Sequence, residues 1–344
     1  MRKANAFGTT QYGGVLAFCF GLHTVVYAPL ANPRTTCLAR ISALIICKRI
    51  YMRSGFIGVI GKANAGKSTL VNVLVGEKVA IVSPKPQTTR DAIMGILTKP
   101  DYQLVFVDTP GIYKAKNRLS DMMMKTAETA AKDVDFILFV HDGHAGVSDD
   151  DIFLMKKYLA EKIPMAVAYT KIDIMPKENI PADVKKLYEN GIDCDILPVS
   201  ARKFTNISKL ESYLADKMPE GEKVIAEDIV SDKSDRFMVS EIMREKILLK
   251  FGQEVPHGIA IVVNTFERQD NGVYDINLDI VCEKPNHKSI LIGKQGAAIK
   301  EVSSFARKDM EKLLGAKVFL TTYVKVKEDW RNRPNLLKDF GYND

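Results

Sequence analysis

Gly61-Lys62-Ala63-Asn64-Ala65-Gly66-Lys67-Ser68 is the stretch whose reading decides the fold. The apolar run 56–60 before it reads as a buried strand, and 69–75, beginning at Thr69, reads as a helix. A loop in that setting turns consecutive backbone N–H groups toward the positive end of a helix, where a polyphosphate can sit. Its glycines leave the space and the dihedral freedom that a phosphate's close approach requires. Lys67 is placed to neutralise β- and γ-phosphates, and the Ser68 hydroxyl to ligate Mg2+. A glycine-rich turn that matches the pattern by chance is the competing reading, and the downstream motifs decide between the two.

From 55 to about 219 the chain repeats apolar strand, loop and amphipathic helix. The candidate strands are 56–60, 104–107, 136–140, 165–169 and 195–199, runs of the kind buried in a parallel sheet, with helices at 149–162 and 182–190. This predicts a doubly wound α/β domain, which binds ligands at the carboxyl ends of its strands.

The motifs fall at those ends. Asp108-Thr109-Pro110-Gly111 follows the second strand, where a carboxylate can hold the hydration shell of Mg2+ and the Gly111 N–H can reach a γ-phosphate. Thr170-Lys171-Ile172-Asp173 follows the fourth. Guanine offers two donors on one edge, N1–H and the exocyclic amine, and one carboxylate accepts both, so Asp173 would select GTP over ATP while Lys171 lies along the base. Ser200-Ala201, after the fifth strand, would complete the base pocket with a backbone N–H to the guanine O6. Between the phosphate loop and Asp108 the polar segment 84–91 is a candidate switch, comprising Gln87, Thr88, Thr89, Arg90 and Asp91. A threonine there can reach Mg2+ only when the γ-phosphate is present. Thr89 is the expected ligand, with Thr88 as the alternative.

With 344 residues the chain has room for two domains. The α/β pattern breaks at 219–222, and a charged stretch to about 235 reads as a linker (221–234). A helix (235–250), two β-rich runs (259–266 and 273–281), a loop, a helix (297–314) and a last strand (317–327) follow. The second helix places Ile299, Val302, Ala306, Met310 and Leu313 on one apolar face and Lys300, Arg307, Lys308 and Lys312 on the other. Just before it stands Ile292-Gly293-Lys294-Gln295-Gly296. A Gly-x-x-Gly loop between two helices can press its N–H groups and Lys294 against the backbone of about four nucleotides, and the surrounding helix–strand–strand–helix–helix–strand order resembles a type II KH domain. Lys288, Lys300, Lys325 and Lys327 would add phosphate contacts, with Ile290, Ile292 and Ile299 as a groove floor. An ordinary turn beside a solvated basic helix is the alternative. Trp330 reads as a packing residue.

The five motifs in order, the Gln-Thr-Thr-Arg of the switch and the second domain together resemble the Era-type members of the translation-factor-like GTPases, over about 55–344. The resemblance implies a P-loop GTPase domain (55–220) followed by an α+β type II KH domain (235–344). It further implies GTP hydrolysis with Mg2+, binding near the 3′ end of 16S ribosomal RNA, and a role in 30S small-subunit assembly. A cytoplasmic monomer with some peripheral association with the inner membrane is also implied. Lys67, Asn64, Thr89 and Gly111 are then the expected catalytic groups, with Asn64 matching an asparagine that in similar GTPases ligates potassium; turn geometry is the other reason for an asparagine there. Ile112 stands where many GTPases carry a water-orienting glutamine, so hydrolysis is expected to be slow without a partner or potassium. The family's base motif usually begins with asparagine. Thr170 is shorter and has no amide, which puts contacts to guanine N7 or to the phosphate loop in doubt.

Residues 1–51 differ from the rest: 1–54 contain no Asp or Glu yet carry seven Lys and Arg residues. A transit peptide, a membrane or signal segment built on 15–22 and 25–30, and an upstream extension beyond a start at Met52 remain open. Over the whole chain the composition is that of a globular protein, 46% hydrophobic and 26% charged, and the net charge of +7 favours a polyanionic partner. The five cysteines form no C-x-x-C pair, which argues against a zinc site or a disulfide framework.

Overall fold

The computed structural model describes residues 17–20, 24–27, 52–111, 117–176, 179–252 and 255–342. The chain divides into two compact units: Met1–Met52 with Glu220–Glu222, and Arg53–Pro219 with Lys223–Asp344. Of the first, Ala17–Phe20 pairs antiparallel with Thr24–Tyr27. Among the described residues no helix is long and apolar enough to cross a membrane.

In the second unit, β1 (Met52–Ile60) leads through the phosphate loop into α1 (Lys67–Val75). There follow β2 (Ile93–Thr98), β3 (Tyr102–Asp108), α2 (Arg118–Ala130), β4 (Phe136–Asp142), α3 (Asp149–Ala160), β5 (Met165–Thr170), α4 (Asn179–Glu189), β6 (Asp195–Pro198) and α5 (Ile207–Lys217). Strand order is β2-β3-β1-β4-β5-β6, parallel throughout except for β2, which runs antiparallel to β3 at the edge. The strand and helix expectations hold in place, with ends shifted by a few residues. The edge strand β2 and the helices α2 and α5 are additions. Helices cover both faces, so β3, β4 and β5 are buried along almost their whole length, as the uninterrupted apolar runs require. Side chains such as Phe106, Phe136 and Phe139 are fully buried, each contributing about 1.5–3 kcal/mol.

The stretch expected to be a linker is stitched to the first domain's edge. Ile96 N–H donates to the Val230 carbonyl and Met94 N–H to Asp232. The wholly buried Gln103 accepts from Val224 and Ile225 N–H and donates to the Ile225 carbonyl. A buried carboxamide needs such partners, and this segment supplies them.

The C-terminal half consists of α6 (Asp235–Lys250), β7 (Ala260–Arg268), β8 (Tyr274–Cys282), α7 (Pro285–Ile292), α8 (Ala297–Leu314), β9 (Val318–Val326) and, after a 3-10 turn at Trp330–Asn332, α9 (Pro334–Asp339). The sheet order is β7-β8-β9, with β8 and β9 parallel. The first of the two helices expected to flank the Gly-x-x-Gly sequence is α7, begun by Pro285 at its first turn. On α8 the buried face is Val302, Ala306 and Met310, with Leu314 packed beside it; Leu313, expected in that face, is 37% exposed. A further apolar cluster joins Leu119 and Met123 of α2 to Ala260, Val281, Trp330 and Leu337, so the C-terminal half is packed on the helix that follows Gly111.

Candidate nucleotide and RNA sites

A cleft of about 660 Å³ opens at the carboxyl ends of the strands. Its walls bring together Ala63, Asn64, Gly66, Lys67, Ser68 and Thr69 of the loop and α1 with Gln87, Thr88, Thr89, Gly111, Thr170, Lys171, Asp173, Ser200 and Ala201. Gly61, Lys62 and Ala65 support the loop from behind: the Lys62 ammonium bonds Ser148 and, at 3.2 Å, Asp151 at the start of α3. Gly111 lies so close to the loop that a Cβ there would come 2.7 Å from Ala63 Cα.

At the phosphate end Lys67 is buried and donates to the Gly61 and Lys62 carbonyls at 3.0 and 2.9 Å. Burial lowers its pKa to about 8, against the pull of Asp108. Asp108 is wholly buried; burial raises its pKa to about 6, opposed by Lys67 and by hydrogen bonds from Ser68 and Thr89. Ser68 donates to Asp108 Oδ2 at 2.6 Å, and the Ser68 and Thr89 hydroxyl oxygens lie 2.8 Å apart. Asp108 Oδ1 is buried without a hydrogen-bond partner among the described residues. Two hydroxyl oxygens and a carboxylate with one unsatisfied oxygen suit a hard cation such as Mg2+, which takes oxygen ligands and keeps several waters. Thr88 takes a different course, its hydroxyl donating to the Lys85 carbonyl. Thr109 and Pro110 are buried beneath, the Thr109 hydroxyl donating to the Val59 carbonyl.

Asn64 adopts the left-handed conformation at φ 64°, and its amide donates to the Pro84 carbonyl at 3.0 Å. Its carboxamide oxygen has no hydrogen bond among the described residues and remains available to a ligand. Ile112 lies outside the described residues.

At the base end Ser200 is buried and donates to Asp173 Oδ1 at 2.7 Å, which holds that carboxyl below its usual pKa range. The exposed Asp173 therefore presents an ionised, aimed carboxylate. Lys171 crosses the cleft to the Asn64 carbonyl at 2.8 Å and Asp142 at 2.6 Å. The doubt about Thr170 is corrected in part: its hydroxyl proton is shared between the Ala65 carbonyl, at 2.6 Å, and the His141 carbonyl, at 3.0 Å. The contact to the phosphate loop is kept because a hydroxyl already at 2.6 Å does not need the longer asparagine arm.

Arg90, grouped with the switch, points out of the cleft into the C-terminal half, where its guanidinium donates to the Ile259 carbonyl at 2.7 Å and the Tyr342 hydroxyl at 2.8 Å. Arg244 of α6 donates to the Thr88 carbonyl at 2.5 Å, and Glu245 accepts from Val82 N–H at 3.0 Å and from Lys78 at 2.6 Å. Burial raises the pKa of the neighbouring Asp91, with Glu241 acting in the same direction. Sequence reading missed Arg244 and Glu245. No local pattern marks them, because their partners lie about 160 residues away.

The second candidate surface lies between α7 and α8. Gly293 sits at φ 72°, and a Cβ there would fall 2.6 Å from Ala298 Cβ, so only glycine lets the two helices approach. Lys288, Lys294, Gln295 and Lys300 are exposed around it, with Gly296 at the start of α8. Ile292 is half-buried, and Ile290 is 49% exposed. Ile299 packs partly into the core, which leaves less of it for a groove floor than expected. Lys325 is paired with Asp279 at 2.6 Å, so its charge is partly spent inside the fold.

Comparison with known proteins adds independent findings. Residues 56–171 match the family described as "50S ribosome-binding GTPase", and 254–331 match the KH domain. The GTPase Era of Clostridium kluyveri is 46% identical over 291 residues, covering 85% of this chain and 99% of the relative; that of Clostridium novyi is 44% identical over 292. A crystal structure of Era in complex with MgGDPNP and nucleotides 1506–1542 of 16S ribosomal RNA superposes with a TM-score of 0.82 at 36% identity, over 85% of this chain and 100% of that one. The Y63A variant of Aquifex aeolicus Era bound to GDP·AlF4⁻ gives 0.81 at 35% identity over the same shares.

Proposed function

The chain belongs to the Era family of GTPases, and from that premise we infer a GTP-hydrolysing switch whose KH domain binds the 3′ end region of 16S ribosomal RNA and serves small-subunit assembly. One observation carries the reading: Lys67, Ser68, Thr89 and Asp108 converge at one end of a single cleft while Asp173 and Ser200 converge at the other. One group suits a phosphate chain with its cation and the other a guanine base. The GTPase domain is assigned to 55–220 and the KH domain to 235–344.

In this reading the loop N–H groups and Lys67 hold the phosphates. Ser68 and Thr89 would hold Mg2+ directly and Asp108 through water, and the bound cation would supply charge neutralisation for phosphoryl transfer. The Gly111 N–H meets the γ-phosphate, and Lys67 supports the same charge from the loop. Asp173 accepts the two guanine donors, with Lys171 along the ring and Ala201 at O6. On the KH side Gly293, Lys294, Gln295 and Gly296 press the RNA backbone, and Lys288 and Lys300 neutralise phosphates.

Finer readings are part of the proposal. Asn64 would hold potassium, which would supply charge stabilisation that Ile112 does not, and its carboxamide oxygen has no hydrogen bond among the described residues. The protein works in the cytoplasm as a monomer, with peripheral membrane association as the family resemblance implies. GTP turnover by the full chain, measured in potassium and in sodium with and without RNA ending in the 16S 3′ sequence, tests the proposal. Turnover that rises with RNA and with potassium supports it. GTP and RNA binding without turnover under any of these conditions leaves a nucleotide-stabilised RNA-binding protein instead.

A further inference from the structure

We propose that Arg90 is a positioning residue for the Mg2+–GTP site, its guanidinium locked into a box built by the C-terminal half so that the adjacent Thr89 is held at the metal. The proposal rests on the reading of Thr89 as a metal ligand. Ile259, Trp330 and Tyr342 build the box. Arg90 donates to the Ile259 carbonyl and the Tyr342 hydroxyl, and its guanidinium carbon stands 5.8 Å from the Trp330 ring centroid and 5.7 Å from that of Tyr342. Those two rings are stacked, 5.9 Å apart and 19° from parallel, and the Trp330 indole N–H is tied to the Gly258 carbonyl at 2.9 Å. Arg90 is 5% exposed and Trp330 wholly buried, so the cation is desolvated among aromatic faces and acceptors, the setting in which such contacts are strongest.

The contacts of the two neighbours diverge, Thr89 bonding Ser68 in the cleft and Arg90 bonding Ile259 and Tyr342. Arg90 faces the KH side and Thr89 the cleft, with Cα atoms about 3.8 Å apart. Fixing one fixes the other. The segment is held on its other flank as well: Arg244 grips the Thr88 carbonyl and Glu245 the Val82 N–H, both from α6. Thr89 is thus bracketed by contacts from the other half of the chain, and its hydroxyl rests 2.8 Å from Ser68.

GDP lacks the γ-phosphate and does not call on the switch threonine. The box therefore favours the Mg2+–GTP state selectively. By linkage, whatever disturbs Trp330 or Tyr342 changes the affinity for Mg2+–GTP, and the nucleotide changes the Trp330 environment in return. Trp330 is the one tryptophan in the sequence, so its emission reads the box directly.

The test uses the full chain with Arg90→Ala, Arg90→Lys, Tyr342→Phe and Thr89→Ala. Two readouts are taken: the Mg2+ concentration that half-saturates binding of a non-hydrolysable GTP analogue, and the Trp330 emission difference between the GDP and Mg2+–analogue states. Arg90→Ala is expected to raise the Mg2+ requirement about tenfold, within the usual range of coupling between sites, with GDP affinity unchanged and the emission difference abolished. Arg90→Lys keeps the charge but not the planar fork and is expected to fall between. Tyr342→Phe removes one acceptor and moves the requirement in the same direction by less. A Thr89→Ala variant with the wild-type Mg2+ requirement refutes the ligand reading and this proposal with it. If Thr89→Ala raises the requirement while Arg90→Ala and Tyr342→Phe leave it and the emission difference at wild-type values, the ligand reading stands and the positioning role is overturned. Should Arg90→Ala fail to fold, Tyr342→Phe decides, and an unchanged Mg2+ requirement there overturns the proposal.

Discussion

Asp173→Asn should exchange the base that the cleft selects. In the wild type one carboxylate accepts both guanine donors, and Ser200 fixes its orientation through a 2.7 Å hydrogen bond to Oδ1. Hydrogen bonds to a charged partner contribute about 1.5–3 kcal/mol each. Asp173 is exposed in the free protein, so solvent competes for it, and the low end of that range applies. Two such bonds then contribute about 3 kcal/mol, or about 150-fold in affinity. Asparagine keeps one acceptor and sets an NH2 group against a guanine donor, so most of that factor should be lost. Xanthine carries a carbonyl where guanine has its exocyclic amine, and the new NH2 can donate to it. Competition of GTP and XTP against a fluorescent nucleotide measures the exchange: GTP should weaken about 150-fold and XTP should overtake it. A variant that keeps its guanine preference would refute the assignment of the base end. Loss of every nucleotide together with a lowered melting temperature would instead mean that the carboxylate serves the fold.

Other predictions follow from the same geometry. Lys67 titrates at about 8 in the nucleotide-free cleft and regains its proton beside phosphates, so nucleotide affinity should fall about tenfold per pH unit above 8. The nucleotide-free fold should show the opposite sign: a lysine pKa below its ordinary 10.5 means that stability rises between pH 8 and 10.5, which melting curves against pH would show. Lys294→Ala should weaken RNA binding and lower the slope of log affinity against log salt by about 1; an unchanged slope would remove Lys294 from the interface. Trp330→Ala, at a wholly buried indole, should cost about 3–5 kcal/mol in denaturant titrations.

The phosphate loop and the strand-end motifs were legible because each is local: a few residues carry both the turn and the chemistry. The parallel strands were legible for the same reason, as unbroken apolar runs. β2 was not, because it begins within two residues of the polar switch and Gly95 interrupts its apolar character. A helix before the Gly-x-x-Gly sequence was expected, but not its bounds, because its opening Lys-Pro-Asn-His reads as a loop; Pro285 in fact starts it. On α8 the three-to-four spacing gave the buried stripe but chose Leu313 over Leu314 at its end, where the choice depends on what lies opposite. Least legible were the contacts between the halves. The spacing of apolar residues says nothing about Glu245 meeting Val82 or Arg90 meeting Tyr342, since those pairs are set by how two finished domains pack. A lone tryptophan near the C-terminus was visible, but its role beside Arg90 required the fold.

If the nucleotide changes the switch segment that α6, Trp330 and Tyr342 contact, RNA affinity must differ between the two nucleotide states. The most direct test is the affinity of the full chain for an RNA ending in the 16S 3′ sequence, measured at one fixed salt concentration with GDP and again with Mg2+ and a non-hydrolysable GTP analogue. The contacts of α6 and of Trp330–Tyr342 with the switch predict tighter binding in the analogue state. Equal affinity in both states would contradict the switch.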